Sequence, residues 1–151
     1  MKNIIIYVSC ALTHAPQEYK DDIEAFKGEL RKVPGVTVLD FCPPAPGEKQ
    51  TKLSPKEVYQ KDINEGVAVA DLIIAEVSLP STGLGLELGK AIGEYKIPTL
   101  LFAKKGAVVS KLILGIPTHV TTAPFAEYSE SLLEMLPGIA MYLEYYRKIR
   151  T

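Results

Sequence analysis

The 151-residue sequence is short of the features that mark several functional classes. Neither sign of charge dominates: 17 Lys and Arg face 18 Asp and Glu, for a formal net charge of −1. A chain so balanced has no basic footprint for a nucleic acid polymer, although a small anionic ligand needs only a local site. Cysteine is scarce. Cys10 and Cys42 lie in separate segments without metal-ligand spacing, and two cysteines make no disulfide framework. They read as reduced thiols of a cytoplasmic protein. Long apolar runs are missing as well. Met1-Lys2-Asn3 leads straight into Ile4-Ile5-Ile6, too short a stretch for a signal sequence or a membrane span. There is no internal repeat and no low-complexity tail. What remains is an ordinary globular composition. It is expected to form one domain over residues 1–151 and to bury about two-thirds of its unfolded surface.

Apolar strands alternate with helical periods along the chain. Residues 4–9 read as a buried first strand, and 10–16 as the loop after it. Tyr19, Ile23, Phe26 and Leu30 form one stripe of a helix over 18–32, which Pro34-Gly35 ends. A second strand is expected over 36–41. Residues 42–54 make the one long connection, either a mobile lid or a surface insertion. Ser54, Pro55 and Glu57 have the cap, first-turn proline and early acid of a helix start. That helix is expected to reach about Ala70, with Tyr59, Ile63, Gly66 and Ala70 on one face. Further strands are expected at 71–77, 97–103 and 118–122, and further helices at 82–95 and 125–150, the last kinked or split by Pro137-Gly138. A short helix or turn at 109–114 carries Ser110. The alternation implies an α/β fold of flavodoxin- or Rossmann-like type. This is a three-layer αβα sandwich around a five-stranded parallel sheet, in the order 2-1-3-4-5, with ligands at the carboxyl edge.

The densest run of signals lies at residues 71–89. Leu72 to Ala75 is an apolar burst that suits a strand covered on both faces. Pro80 and Ser81 break it, and Ser81 or Thr82 can cap a helix. Gly83 and Gly85 strip side chains from the first turn, so a ligand can approach backbone N–H groups that suit an anion. Glu87 follows about one turn in, with Leu84 and Leu88 inward and Gly89 suited to close packing. The helix dipole favours its ionised form by roughly 0.3–1 kcal/mol. Two readings of Glu87 stand on spacing alone: a fixed nucleophile or charge stabiliser, and an ordinary acid of a capped helix. The Gly-x-Gly is not a dinucleotide fingerprint, for it follows the third strand and lacks the third spaced glycine.

This run resembles the active-site segment of the nucleoside 2-deoxyribosyltransferase superfamily, and within it the 2'-deoxynucleoside 5'-monophosphate N-glycosidase branch. The residues that carry the resemblance are Ala75-Glu76-Val77, Pro80-Ser81 and Gly83-Leu84-Gly85-Leu86-Glu87-Leu88-Gly89. It covers most of the chain, least well residues 49–53 and the last helix. It implies a Rossmann-like domain working as a homodimer, for which the Ala68-Val69 and 132–143 surfaces are available. Glu87 would be the nucleophile, Asp62 the base-contacting group or general acid, and Tyr7 the hydroxyl that positions the carboxylate. Asp62 has the alternative of an exposed helical acid, and Tyr7 that of a core aromatic. Ser81 falls where the phosphate-handling branch has serine and the free-nucleoside transferases have aspartate. Ser110 matches a serine that reaches the 5'-phosphate across the dimer. Either serine alone can also be a cap.

The implied activity is hydrolysis of 2'-deoxynucleoside 5'-monophosphates through a covalent Glu87 intermediate, with no metal or other cofactor. The alternatives are base exchange by a 2-deoxyribosyltransferase and a non-catalytic nucleotide-binding domain. One departure stands out. The branch has Gly-Ser-Ile-Arg in its first loop, where this chain has Cys10-Ala11-Leu12-Thr13. His14 can place a cation there or be simply solvated, and His119 reads as structural. Asp71, at the opposite edge of the expected sheet, reads as structural too. Glu76 is either a ligand contact or an acid facing a helix or a dimer partner.

Overall fold

The computed structural model describes residues 2–39, 53–116 and 125–150. Cys42, His119, most of the long connection and the strand expected at 118–122 lie outside the described residues. Within them, strands β1 (Ile4–Ser9), β2 (Val36–Val38), β3 (Leu72–Glu76), β4 (Thr99–Lys104) and β5 (Phe125–Tyr128) form one sheet in the order β2-β1-β3-β4-β5. Every neighbouring pair is parallel. The sheet order is the one expected, and the carboxyl ends of all strands share one edge.

The helices are α1 (Gln17–Arg31), α2 (Pro55–Tyr59), α3 (Thr82–Gly89), α4 (Lys111–Leu114) and α5 (Leu136–Ile149). The strand period of two divides the core between the two faces of the sheet. Ile4, Ile6, Val8, Leu72 and Ile74 pack with α1 and α5 residues such as Phe26, Leu30, Ile139 and Leu143. Tyr7, Ile73 and Ala75 pack with Ile63, Leu84 and Leu88 on the other face. Leu72, Ile73, Ile74 and Ala75 are wholly buried, as strands sandwiched between helix layers must be. Each large aliphatic side chain removed from water here contributes about 1.5–3 kcal/mol.

Several expectations need correction. Residues 125–128 do not begin the last helix; they are the edge strand β5, with Leu101 paired to Phe125 and Lys104 to Tyr128. Ser131 and Glu134 form a capping box that starts a 3-10 turn at Leu132–Met135, and α5 begins at Leu136 with Pro137 in its first turn. A proline there lacks only an N–H that has no helical acceptor anyway. The helix expected to run to Ala70 is three pieces. The Ser54 capping box starts α2, a wider π turn spans Gln60–Asn64, and a 3-10 turn spans Val67–Val69. A second π turn, Lys90–Glu94, continues α3. The 132–143 stripe is not free for a partner: Leu132, Ile139 and Leu143 are buried in the core against α1. Gly89 is not a close-packing position either, because an added Cβ would meet nothing within 4 Å.

Candidate active site

Side-chain alternation in β1 sends Tyr7 and Ser9 to the α3 face of the sheet. In the ladder Tyr7 lies beside Ile73 and Ser9 beside Ala75. Ala75 has no side chain beyond Cβ, which leaves room over Ser9. Glu87 enters that room from the second turn of α3, where Leu84 and Leu88 anchor the helix with exposures of 4% and 0%. Ser9 Oγ, itself wholly buried, donates a short hydrogen bond to Glu87 Oε2. The Tyr7 hydroxyl stands near enough to the same carboxyl group to favour its charged form. Asp62 comes from the π turn Gln60–Asn64, half-buried, close enough for its charge to act on both Glu87 and Tyr7. Extra-residue turns of this kind recur at functional sites because they turn one side chain away from the regular helical period.

Gly66 locks this group together. A Cβ there would stand 2.5 Å from Tyr7 Cε2 and 2.5 Å from the Asp62 carbonyl oxygen. Only a residue without a side chain lets the Tyr7 ring pack against this backbone.

The electrostatics reverse one expectation. Glu87 lies beyond the first turn of α3, where the helix dipole has faded. Burial dominates and pushes its carboxyl up to about 7; the Ser9 and Tyr7 hydroxyls pull the other way, and the nearby Asp62 charge adds to the rise. Asp62 is also raised by burial, against the pull of Lys61. The Tyr7 phenol is raised by burial and then by the charges of Glu87 and Asp62, so it stays a hydrogen-bond donor. A carboxyl poised near neutrality beside a second acid can divide the work of glycosidic cleavage, one acid meeting the sugar and the other the leaving group.

The remaining sequence candidates fall into two groups. At the start of α3, Ser81 Oγ accepts from Leu84 N at 3.2 Å, so the hydroxyl caps the helix and keeps its own proton to donate. A Cβ on Gly83 would meet only Ser81 Oγ, at 3.9 Å, and one on Gly85 nothing within 4 Å. The approach to this helix turn is therefore open. Ser110 stands apart: it caps α4 and accepts from Leu112 N at 3.2 Å, on an exposed segment. Val108 and Leu112 beside it are 91% and 82% exposed.

Two other acids have structural settings. Glu76 faces the α1 side of the sheet, wholly buried, and its Oε1 accepts from Ser78 N at 3.1 Å and from the Tyr128 hydroxyl at 3.2 Å. Asp71, read as structural, accepts from Ile5 N at 2.9 Å and from Arg150 Nη1 at 2.6 Å. Ser9 is the one residue of the cluster that the sequence reading passed over. The signal was present, since it lies two positions after Tyr7 and so shares its face. His14 is exposed on the loop after β1.

No family model matches the chain. A protein of Methanosarcina barkeri named as a candidate 2'-deoxynucleoside 5'-phosphate N-hydrolase is 34% identical over 91 residues, 59% of this chain and 56% of that protein. A Methanosarcina mazei protein of the same name is 31% identical over 104 residues, 68% of this chain and 63% of its own length. A 5-hydroxymethyl-dUMP N-hydrolase of Danio rerio is 38% identical over 61 residues, 40% of this chain and 42% of that protein. The chain thus spans less than two-thirds of the curated relatives it matches. Among solved structures, a CMP N-glycosidase of Clostridium botulinum aligns with a TM-score of 0.64 at 20% identity, over 89% of this chain and 98% of that one. That likeness shows the fold. The relatives' names agree with the resemblance carried by residues 75–89.

Proposed function

We propose that this chain is an N-glycosidase that releases the base from 2'-deoxynucleoside 5'-monophosphates. The observation that carries the reading is the clustering of Glu87, Tyr7 and Asp62 at the carboxyl edge of β1 and β3, next to the open first turn of α3. Glu87, as carboxylate, attacks C1' of the sugar. The C1'–N bond breaks, its electron pair leaves with the base, and Asp62 hands on to the base the proton that Glu87 gives up on ionising. Water then attacks C1' of the glycosyl ester, Glu87 departs with the ester electron pair, and the water's proton returns to Asp62. Tyr7 orients the carboxylate, and no metal or redox group is required. The names of the relatives support the same bond as the target.

The phosphate goes to the start of α3. The Ser81 hydroxyl and the Gly83 backbone N–H supply neutral donors there, and the bare Gly85 beside them leaves the approach open, where an aspartate would repel an anion. Ser110 is assigned to the phosphate of a second copy. The exposed Val108 and Leu112 beside it are suited to being covered in a homodimer.

Base release measured on dGMP, dCMP, dUMP, CMP and the free nucleosides, with and without an added acceptor base, tests the reading. Release from the deoxynucleotides alone is expected. Base exchange on free nucleosides would make the chain a transferase, and binding without turnover would make it a nucleotide sensor. Ser81→Asp is expected to raise KM for monophosphates selectively; equal losses on nucleosides would remove the phosphate assignment. A protein that sediments as a monomer at assay concentration would remove the role given to Ser110.

A further inference from the structure

We propose that Ser9 is a positioning residue for the reaction: its hydroxyl donates to Glu87 Oε2 and holds that carboxylate in place and in its anionic form. This rests on the reading of Glu87 as nucleophile. It goes beyond that reading by assigning a role to a residue outside the resemblance.

The geometry carries the inference. Ser9 ends β1, so its backbone is held in the sheet ladder beside Ala75 of β3. Its side chain is wholly buried, and Ala75 across the ladder leaves Glu87 room above it. A buried hydroxyl with a carboxylate as acceptor makes a charge-assisted bond, stronger than a neutral one. Glu87 needs such a partner. Burial opposes its ionisation, and the like charge of Asp62 opposes it further. Among the described residues, the groups that act on Glu87 from the packed elements are Ser9 and Tyr7 on β1 and Asp62 on the π turn. The Cys10 thiol, pushed up to about 12 by burial, stays neutral nearby. Ser9 and Tyr7 are therefore the two donors set against two opposing influences. Without Ser9 the carboxyl would be largely protonated at neutral pH, and a protonated carboxyl is a poor nucleophile.

The test reads Glu87 directly. In protein labelled with 13C at the glutamate side-chain carboxyl, its resonance is identified by its loss in Glu87→Gln. Its titration is then followed in the wild type, Ser9→Ala and Ser9→Cys. Wild-type Glu87 is expected to titrate near neutrality, and Ser9→Ala to move the midpoint up by roughly one to two pH units, the worth of a charge-assisted bond. Ser9→Cys keeps a weaker donor of similar size and is expected to fall between. The acid limb of kcat/KM moves with the midpoint. The activity loss is then roughly ten- to a hundredfold at acid pH and shrinks as pH rises. An unmoved resonance in both variants, or a loss equal at every pH, overturns the proposal. Absence of base release by the wild type would defeat the proposed function instead, and the titration would still decide the Ser9 bond.

Discussion

Glu87→Gln separates what this residue does for catalysis from what it does to the fold. The amide keeps the shape of the side chain, and its oxygen can still accept from Ser9. It removes only the charge. In the folded chain the Glu87 carboxyl is raised from an ordinary 4.5 to about 7, chiefly by burial. The folded state thus holds this proton more tightly than the unfolded chain does. The group's contribution to stability is complete below pH 4.5 and is lost as pH rises through about 7. A tenfold difference in proton affinity between the two states is worth about 1.4 kcal/mol, so ionised Glu87 costs the fold about 3 kcal/mol at pH 8. For a chain of this length that corresponds to roughly 6–12 °C in Tm. Unfolding by urea at a series of pH values checks it. Wild type and Glu87→Gln are expected to match near pH 4 and to diverge above it, with the variant more stable by about 3 kcal/mol at pH 8 and devoid of base release. A gap that does not change with pH would refute the reasoning, as would a variant less stable than wild type at pH 8. Wild-type turnover in the variant would falsify the nucleophile assignment.

Asp62→Asn takes away the negative charge that helps to raise Glu87, so the acid limb of kcat/KM is expected at lower pH. Its plateau is expected to fall by about 10²–10⁴, the usual worth of a general acid; a pH–rate profile reads both. Gly66→Ala puts a methyl group within 2.5 Å of Tyr7 Cε2 and the Asp62 carbonyl. It is expected to cost about 1–3 kcal/mol in denaturant unfolding and to lower kcat through the displaced Tyr7 and Asp62. Asp71→Asn serves as the control remote from the site. Its hydrogen bonds to Ile5 N and Arg150 hold the carboxyl below the usual range, so its contribution is present at neutral pH and lost as pH falls through that depressed value. A loss of about 1–2 kcal/mol at pH 7 with unchanged kcat is expected.

The sequence by itself determined the layers and their order. Wholly apolar strands such as 72–75 are stable only between two helical layers, and strands alternating with helices must cross over in parallel. It also determined the start of α3, because Ser81, Gly83 and Gly85 are local backbone chemistry that reads from a few neighbouring residues. The edge strand at 125–128 was not legible: its four residues carry too little periodicity to outweigh the helix that follows, and only pairing with β4 makes it a strand. Nor were the π turns, which depend on how Gln60–Asn64 and Lys90–Glu94 pack rather than on which residues they contain. Above all, the ionisation of Glu87 belonged to tertiary structure. Its identity and spacing suggest a charged acid favoured by a helix dipole. Its burial beside Asp62, with the hydroxyls of Tyr7 and Ser9 set against that burial, sets the proton's affinity at a point where Ser9 and Glu87, 78 positions apart in the chain, meet. Desolvation and through-space charge depend on distance in the fold, and no local pattern encodes them.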